Sequence, residues 1–399
     1  MSEAQTVPIR TMTRLRFALL TLLALSGAVW LVGGLYSSLN WHPPAYVNRD
    51  GVAIGRDFVA LRAAALLALE HRPEAAYDAT ELHAVEEQVV GAPIETTTWF
   101  YPPFVQLLTL PLALPPYLVA LALWVTLPLA GFLALTRQIG RHWLALPVSL
   151  LFPAVSQNLI IGQNGAITAL LIGGGLLALD RRPVLAGLCF GLLGYKPQMA
   201  AAVYAALVFG GYWRCLAVAA ATLVLLGGAS LLAFGTAPWL GFLQASSDAR
   251  TMLETGVLPW EKLMSVFAAA RLLGLSIAVA YVLQGAVALA ALAALWSAWR
   301  EPKAPGRRAA VLVLVIPLVT PYLFGYDLVV TLLAFAWLVE AGCAQGFRRG
   351  EIPLLAIAWI APVAGWLAAW AWGVQPTPLL LGLTLLAVLT RRPSPPQAA

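Results

Sequence analysis

QNLIIGQNGAITALLIGGGLLALDRRPVLAGLCFGLLGYKPQ, residues 157–198, decides how this chain is read. Two apolar segments are joined by Asp180-Arg181-Arg182-Pro183. Polar groups close the far end of each, with Gln157, Asn158, Gln163 and Asn164 on the first and Lys196 and Gln198 on the second. An apolar hairpin with arginines at its bend has the pattern of two membrane helices joined by a cytoplasmic turn. If the Arg pair marks one side of a bilayer, the amides and the lysine meet on the other. That meeting point is expected to be the floor of a functional site facing away from the cytoplasm.

The rest of the chain agrees with a membrane reading. Of 399 residues, 61% are hydrophobic and 11% charged, against roughly 45–50% and about 25% in a soluble globular protein. No single soluble core could hide so much apolar surface, and the repeated long apolar runs indicate helices rather than a barrel. The net charge of +6 does not indicate a nucleic-acid partner, because the basic residues sit in small clusters between apolar runs. Cys189, Cys215 and Cys343 lie in or beside apolar segments without ligand spacing and read as small core residues. His42, His71, His83 and His142 have no metal-like spacing, so neither a metal nor another cofactor is expected. No phosphate-binding glycine loop, zinc-binding helix, nucleophile elbow or dinucleotide fingerprint is present.

Topology follows from the charges. Arg10, Arg14 and Arg16 precede a retained helix at Phe17 to Tyr36, which no small-residue cleavage site follows. Ser37 to Phe100 is a long outer loop holding 9 of the 18 acidic residues, with a helix at Arg56 to Leu69 lying along the membrane surface. Proline-broken apolar sequence runs from Tyr101 to Leu135, and further spans are expected at 143–160, 166–179, 184–195, 199–210, 216–234, 275–299, 309–323, 328–343, 353–370 and 378–389. A second outer loop covers 235–271. This gives about 12 crossings, some short or broken, in an all-α polytopic fold with both termini cytoplasmic. It places 16 of the 24 basic residues inside. Residues 1–392 read as one integral membrane domain of the inner (plasma) membrane, and 393–399 as a disordered tail.

The same topology gathers scattered polar motifs at the outer ends of spans. Asp57 at the start of the surface helix is either a first-turn acid favoured by the helix dipole or a general base for a hydroxyl. Lys196, before the helix-breaking Pro197, either snorkels to the headgroups or contacts a phosphate. Gln163 and Asn164 either satisfy a broken helix end or read sugar hydroxyls, since amides both donate and accept. Asp327, beside Tyr326, is a costly ionisable group at a span mouth, with Lys196 or Arg56 as its expected partner. Tyr101 opens a Tyr-Pro-Pro turn and Gln198 closes the Lys-Pro-Gln motif; both belong to the same outer surface. In the second loop Asp248, Arg250, Glu254, Trp260, Glu261, Lys262 and Arg271 form either a solvated loop or an acceptor-binding lid.

These residues carry a resemblance. Asp57-Phe58 with Tyr77-Asp78, Tyr101-Pro102-Pro103, Gly162-Gln163-Asn164, RPVLAGLCFGLLGYKPQ at 182–198 and TPYLFGYD at 320–327 resemble glycosyltransferase family 87, membrane enzymes of the GT-C class. Asn164 directly follows Gln163, where the family often has one residue between them. The resemblance implies inverting transfer of a hexose, often mannose, from a polyprenyl-phosphate-linked donor to a lipid or glycan hydroxyl on the outer face, without bound metal. Asp57 would be the base, Lys196 and Arg56 donor phosphate contacts, and Tyr101, Gln163, Asn164, Gln198, Tyr326 and Asp327 substrate contacts. Two other classes stand beside it: a transporter or flippase of a lipid-linked or small polar substrate, and a non-catalytic membrane assembly protein. No repeat of either motif in the second half supports the internal symmetry common in transporters.

Overall fold

The computed structural model describes residues 25–37, 40–41, 43–140, 145–301 and 305–391. Arg10, Arg14, Arg16, the start of the first expected span, His42, Arg141, His142, Lys303 and the expected tail lie outside them. Among the described residues the protein is all helical, without strands. The helices are α1 Leu25–Ser37, α2 Arg56–Leu69, α3 Ala79–Val90, α4 Phe104–Thr109, α5 Tyr117–Ile139 and α6 Ala145–Leu150. There follow α7 Pro153–Ile161, α8 Gly165–Ala178, α9 Pro183–Leu192, α10 Pro197–Phe209, α11 Trp213–Phe234 and α12 Ala237–Thr255. The last are α13 Val266–Leu272, α14 Ile277–Trp299, α15 Pro305–Val319, α16 Thr331–Gln345, α17 Glu351–Trp372 and α18 Thr377–Thr390.

Among the described residues five segments are long and apolar enough to cross a membrane: α5, α11, α14, α17 and Gly325–Gln345, which contains α16. The apolar helices α1, α8 and α18, together with those at Phe104–Ala113, Pro183–Tyr195 and Pro197–Phe209, are shorter. The expected continuous span at 143–160 is broken: α6 stops at Leu150, and Pro153, which has no N–H to donate, starts α7 at its first position.

Burial separates lipid-facing helices from central ones. Only 17% of the apolar window of α11 or α14 is buried, so most of that surface is left for lipid. In α15, by contrast, every residue from Arg308 to Leu318 is buried. A helix that is apolar all round is covered by protein or lipid, and here α10, α14, α16 and α18 cover it.

The long segment before α5 has its own core. The surface-helix reading of Arg56 to Leu69 placed one face toward the membrane, yet nine of its 14 residues are buried and Phe58, Ala63, Ala64 and Leu67 are fully covered. Packed around α2 are α3, α4 and the 3-10 segments at Pro73–Tyr77 and Leu110–Ala113. The Arg62 guanidinium ties it to the carbonyls of Leu112 (2.5 Å) and Pro115 (2.8 Å). The alanines let these neighbours approach closely, which holds the first turn of α2, with Asp57, in a fixed place. The loop at 235–271 folds as α12 and α13. It docks through a bridge between Leu263 and Phe324 and the bond from Met264 N–H to Leu323 O, 2.8 Å.

Candidate active site

The hairpin that opened the reading folds as expected, with its two polar ends together. Gly162 ends α7 in the left-handed region (φ 71°), and the chain reverses there into α8. Asn158 stabilises the reversal. Its Oδ1 accepts from Gly165 N–H (2.5 Å), and its Nδ2 donates to Tyr326 O (2.9 Å). A side chain at Gly165 would collide with that amide and with the Tyr326 carbonyl, 2.5 and 2.6 Å from a Cβ. The turn is thereby clamped onto the segment carrying Tyr326 and Asp327. At the other end of the hairpin, Leu193–Tyr195 tightens into a 3-10 turn and Pro197 begins α10, leaving Lys196 at the junction.

Two polar groupings result. In the first, Gln163 Nε2 donates to Asp57 Oδ2 (2.7 Å), Asn164 N–H donates to Gln163 Oε1 (3.1 Å), and Asn164 Nδ2 donates to the Tyr101 hydroxyl (2.7 Å). Tyr101 is fixed from behind by the Tyr77 hydroxyl, which donates to its carbonyl at 2.7 Å. In the second, Lys196 Nζ donates to Asp327 Oδ1 at 2.6 Å, with the two residues 5% and 4% exposed. Asp327 Oδ2 also accepts from Phe324 N–H (3.1 Å). The Lys196 ammonium lies over the rings of Tyr195 (5.9 Å) and Tyr326 (5.7 Å). Of the two partners expected for Asp327, the structure selects Lys196.

Tyr195 joins the groupings. Its ring stacks on that of Tyr101 with centroids 6.2 Å apart, and its hydroxyl donates to Asn164 O (3.2 Å). The sequence reading passed over it, although its place directly before Lys196 at a helix end was a usable signal. Tyr322 was likewise passed over inside TPYLFGYD; its ring packs edge-on against Phe100 (6.4 Å) and Phe324 (5.4 Å).

Electrostatics distinguish Asp57. Burial pushes its carboxyl above the ordinary carboxylate range, while the Gln163 hydrogen bond and the positive charges of Arg56, Lys262 and Lys196 pull it back down. The field of Lys196 thus reaches Asp57, although each is bonded to a different partner. Lys262 comes from the loop at 235–271, where the sequence reading had it only as part of a solvated loop or an acceptor-binding lid. Arg56, expected at a phosphate, forms an ion pair with the exposed Glu95 at 2.7 Å. Gln198 stands outside both groupings and lines a neighbouring cavity. Among the described residues no group of three or more His, Cys, Asp and Glu side chains is arranged to hold a metal ion.

The arrangement offers a half-buried carboxylate with a raised proton affinity, amides that can both donate and accept, and a cation bedded on aromatic rings. A family model, that of glycosyltransferase family 87, matches residues 99–321, more than half of the chain. Searches of curated proteins and of solved structures return no match.

Proposed function

From its membership of glycosyltransferase family 87, to which this chain belongs, we propose that the protein moves a hexose, mannose being the first candidate, from a polyprenyl monophosphate to a hydroxyl of a lipid or glycan on the outer face of the inner membrane. The observation that carries the proposal is the Asp57–Gln163–Asn164–Tyr101 chain lying beside the Lys196–Asp327 pair.

The chemistry is a single displacement with inversion. The acceptor hydroxyl gives its proton to the Asp57 carboxylate as its oxygen bonds to C1 of the sugar. The C1–O bond to phosphate breaks, and its electron pair leaves with the prenyl phosphate. Asp57 loses one negative charge as it is protonated, and the leaving phosphate gains one. A cation near that phosphate therefore binds the transition state better than the ground state, which is the condition for catalysis. Lys196 fills this role: one of its three N–H donors holds Asp327, and an ammonium has two more. A proton affinity raised by burial suits Asp57 to the base role, and Gln163 fixes its orientation.

Among the described residues Asn164 Oδ1 is buried without a partner. Buried acceptors are normally satisfied, and a donor hydroxyl is the natural complement. Tyr326, Asp327 and Arg56 border the proposed phosphate position, and Gln198 the acceptor side. The short apolar helices around these groups, Gly165–Ala178, Pro183–Tyr195 and Pro197–Phe209, support a lipid donor approaching sideways from the bilayer.

The test is incubation of the purified protein with polyprenyl-phosphate-[14C]mannose and extracted membrane lipids. Label in a new, mild-acid-stable product supports the proposal. Label recovered only as intact donor, redistributed across the bilayer of proteoliposomes, rejects it in favour of a flippase.

A further inference from the structure

Beside the proposed reaction centre lies a cavity of about 530 Å³. Its wall on the site side is aromatic: Phe100, Tyr101, Tyr195 and Tyr322. Helix α12 of the second outer loop contributes Phe242, Ser246, Ala249 and Arg250, and Gln198 lines it from α10. We infer that this cavity is a subsite for a pyranose ring, namely the sugar portion of a glycoside acceptor adjoining its reacting hydroxyl. The word acceptor rests on the transferase proposal; the binding of a sugar ring does not.

Size, chemistry and position support this occupant. The volume falls within the roughly 300–1,000 Å³ of small-molecule sites. Aromatic faces carry negative charge density, which suits the weakly positive C–H faces of a pyranose. The rim supplies the other half of sugar recognition. Gln198 offers an amide that both donates and accepts, and Ser246 offers a hydroxyl. Arg250 stands on the exposed rim, where Glu254 accepts from its Nε at 2.8 Å while also accepting from the Tyr281 hydroxyl at 2.9 Å. A prenyl or acyl chain would satisfy none of these polar groups and would displace their water.

Position connects the cavity to the chemistry. Tyr101 belongs to both: its ring lines the cavity, and its hydroxyl is held by Asn164, whose neighbour Gln163 holds Asp57. Tyr195 and Pro197 also line the cavity, whereas Lys196 between them reaches Asp327 instead. One turn of chain thus serves the phosphate with its middle residue and the cavity with its flanks. On this inference α12, in the loop at 235–271, would cover the subsite.

The experiment is saturation-transfer NMR on the full chain in phosphatidylcholine nanodiscs, with n-octyl β-D-glucopyranoside as probe and tetraethylene glycol monooctyl ether, which shares the alkyl chain but lacks the ring, as control. The inference expects saturation of the glucose ring protons. It expects at least a fivefold loss in Ala249→Trp, which fills the cavity, and a retained signal in Asp57→Asn. Should Ala249→Trp fail to fold, Tyr322→Leu, which keeps bulk but removes a ring, is expected to weaken the signal at least threefold. Saturation confined to the octyl chain and equal for both compounds, or a ring signal unaffected by the folded variant, overturns it. Binding needs no turnover, so cavity-dependent ring signals without transfer would reject only the transferase proposal. Transfer without such signals would reject only the subsite.

Discussion

Gln163 donates from Nε2 to Asp57 Oδ2 across 2.7 Å, tying the turn between α7 and α8 to the first turn of α2 over 106 positions of chain. The bond favours the ionised carboxylate, opposing the burial that favours the protonated form. Gln163→Ala removes this opposition, so the carboxyl's proton affinity rises further. If Asp57 is the base, activity is present above its pKa and lost as pH falls through it. The acid limb of the kcat/KM profile must therefore move to higher pH in the variant. At neutral pH a loss of about ten- to hundredfold is expected, on the scale of one hydrogen bond to a charged group at ~1.5–3 kcal/mol. An unshifted acid limb would separate Gln163 from the ionisation of Asp57.

Asp57→Asn should abolish transfer without harming the fold. A carboxyl whose pKa is raised on folding contributes its stability fully below the unfolded value of about 3.9, and that contribution is lost as pH rises through the folded value. Above that folded value the native protein therefore carries a desolvated charge that asparagine does not. The variant should melt at or above the native temperature near neutral pH, with the difference shrinking in acid. Turnover within tenfold of native, measured with the labelled donor, would be fatal to the base assignment.

The Lys196–Asp327 pair makes a different prediction. Breaking a buried pair leaves an uncompensated charge, at a cost of about 3–5 kcal/mol, whereas replacing both partners with apolar residues is often neutral. Lys196→Met and Asp327→Leu alone should each destabilise strongly, and the double variant should recover most of the native melting temperature. Activity should stay lost in the double variant, because the leaving phosphate would have no cation. Recovery of both stability and turnover would reduce the pair to a structural peg.

How far the site was legible depended on the range of each interaction. The hairpin's polar ends could be paired from sequence because two apolar segments of similar length joined by Asp180-Arg181-Arg182 can only return their far ends to one side, and Tyr195 does bond to Asn164. Pro153 was equally visible as a break in the expected span at 143–160, and its rigid φ explains the start of α7. The effect of Lys262 on Asp57 was not legible. Its charge is felt there because Leu263 and Met264 dock on Phe324 and Leu323, a pairing across about sixty residues with no local periodicity to announce it. The helix at Arg56 to Leu69 misled for a related reason: an alanine-rich helix reads as weakly amphipathic, and only the packing of α3 and α4 against it shows why nearly every face is small and apolar.

Two glycines of the same hairpin should respond in opposite directions to alanine. Gly162 holds φ 71°, and an added Cβ would lie 2.7 Å from Phe58 Cβ and 3.1 Å from Leu121 Cδ1. The left-handed conformation alone costs alanine about 1–2 kcal/mol, and Phe58 cannot retreat because it is fully buried. Gly174 lies inside α8 with nothing within 4 Å of its would-be Cβ, so alanine there should stabilise by about 0.5–1 kcal/mol through lost unfolded-state freedom. Thermal melts in one detergent give the comparison. Gly162→Ala should also lower transfer beyond its effect on folding, because the turn it distorts aims Gln163 at Asp57 and its carbonyl accepts from Trp124 Nε1 at 3.0 Å. Native turnover in a destabilised Gly162→Ala protein would mean that the turn supports the fold without setting the geometry of the carboxylate.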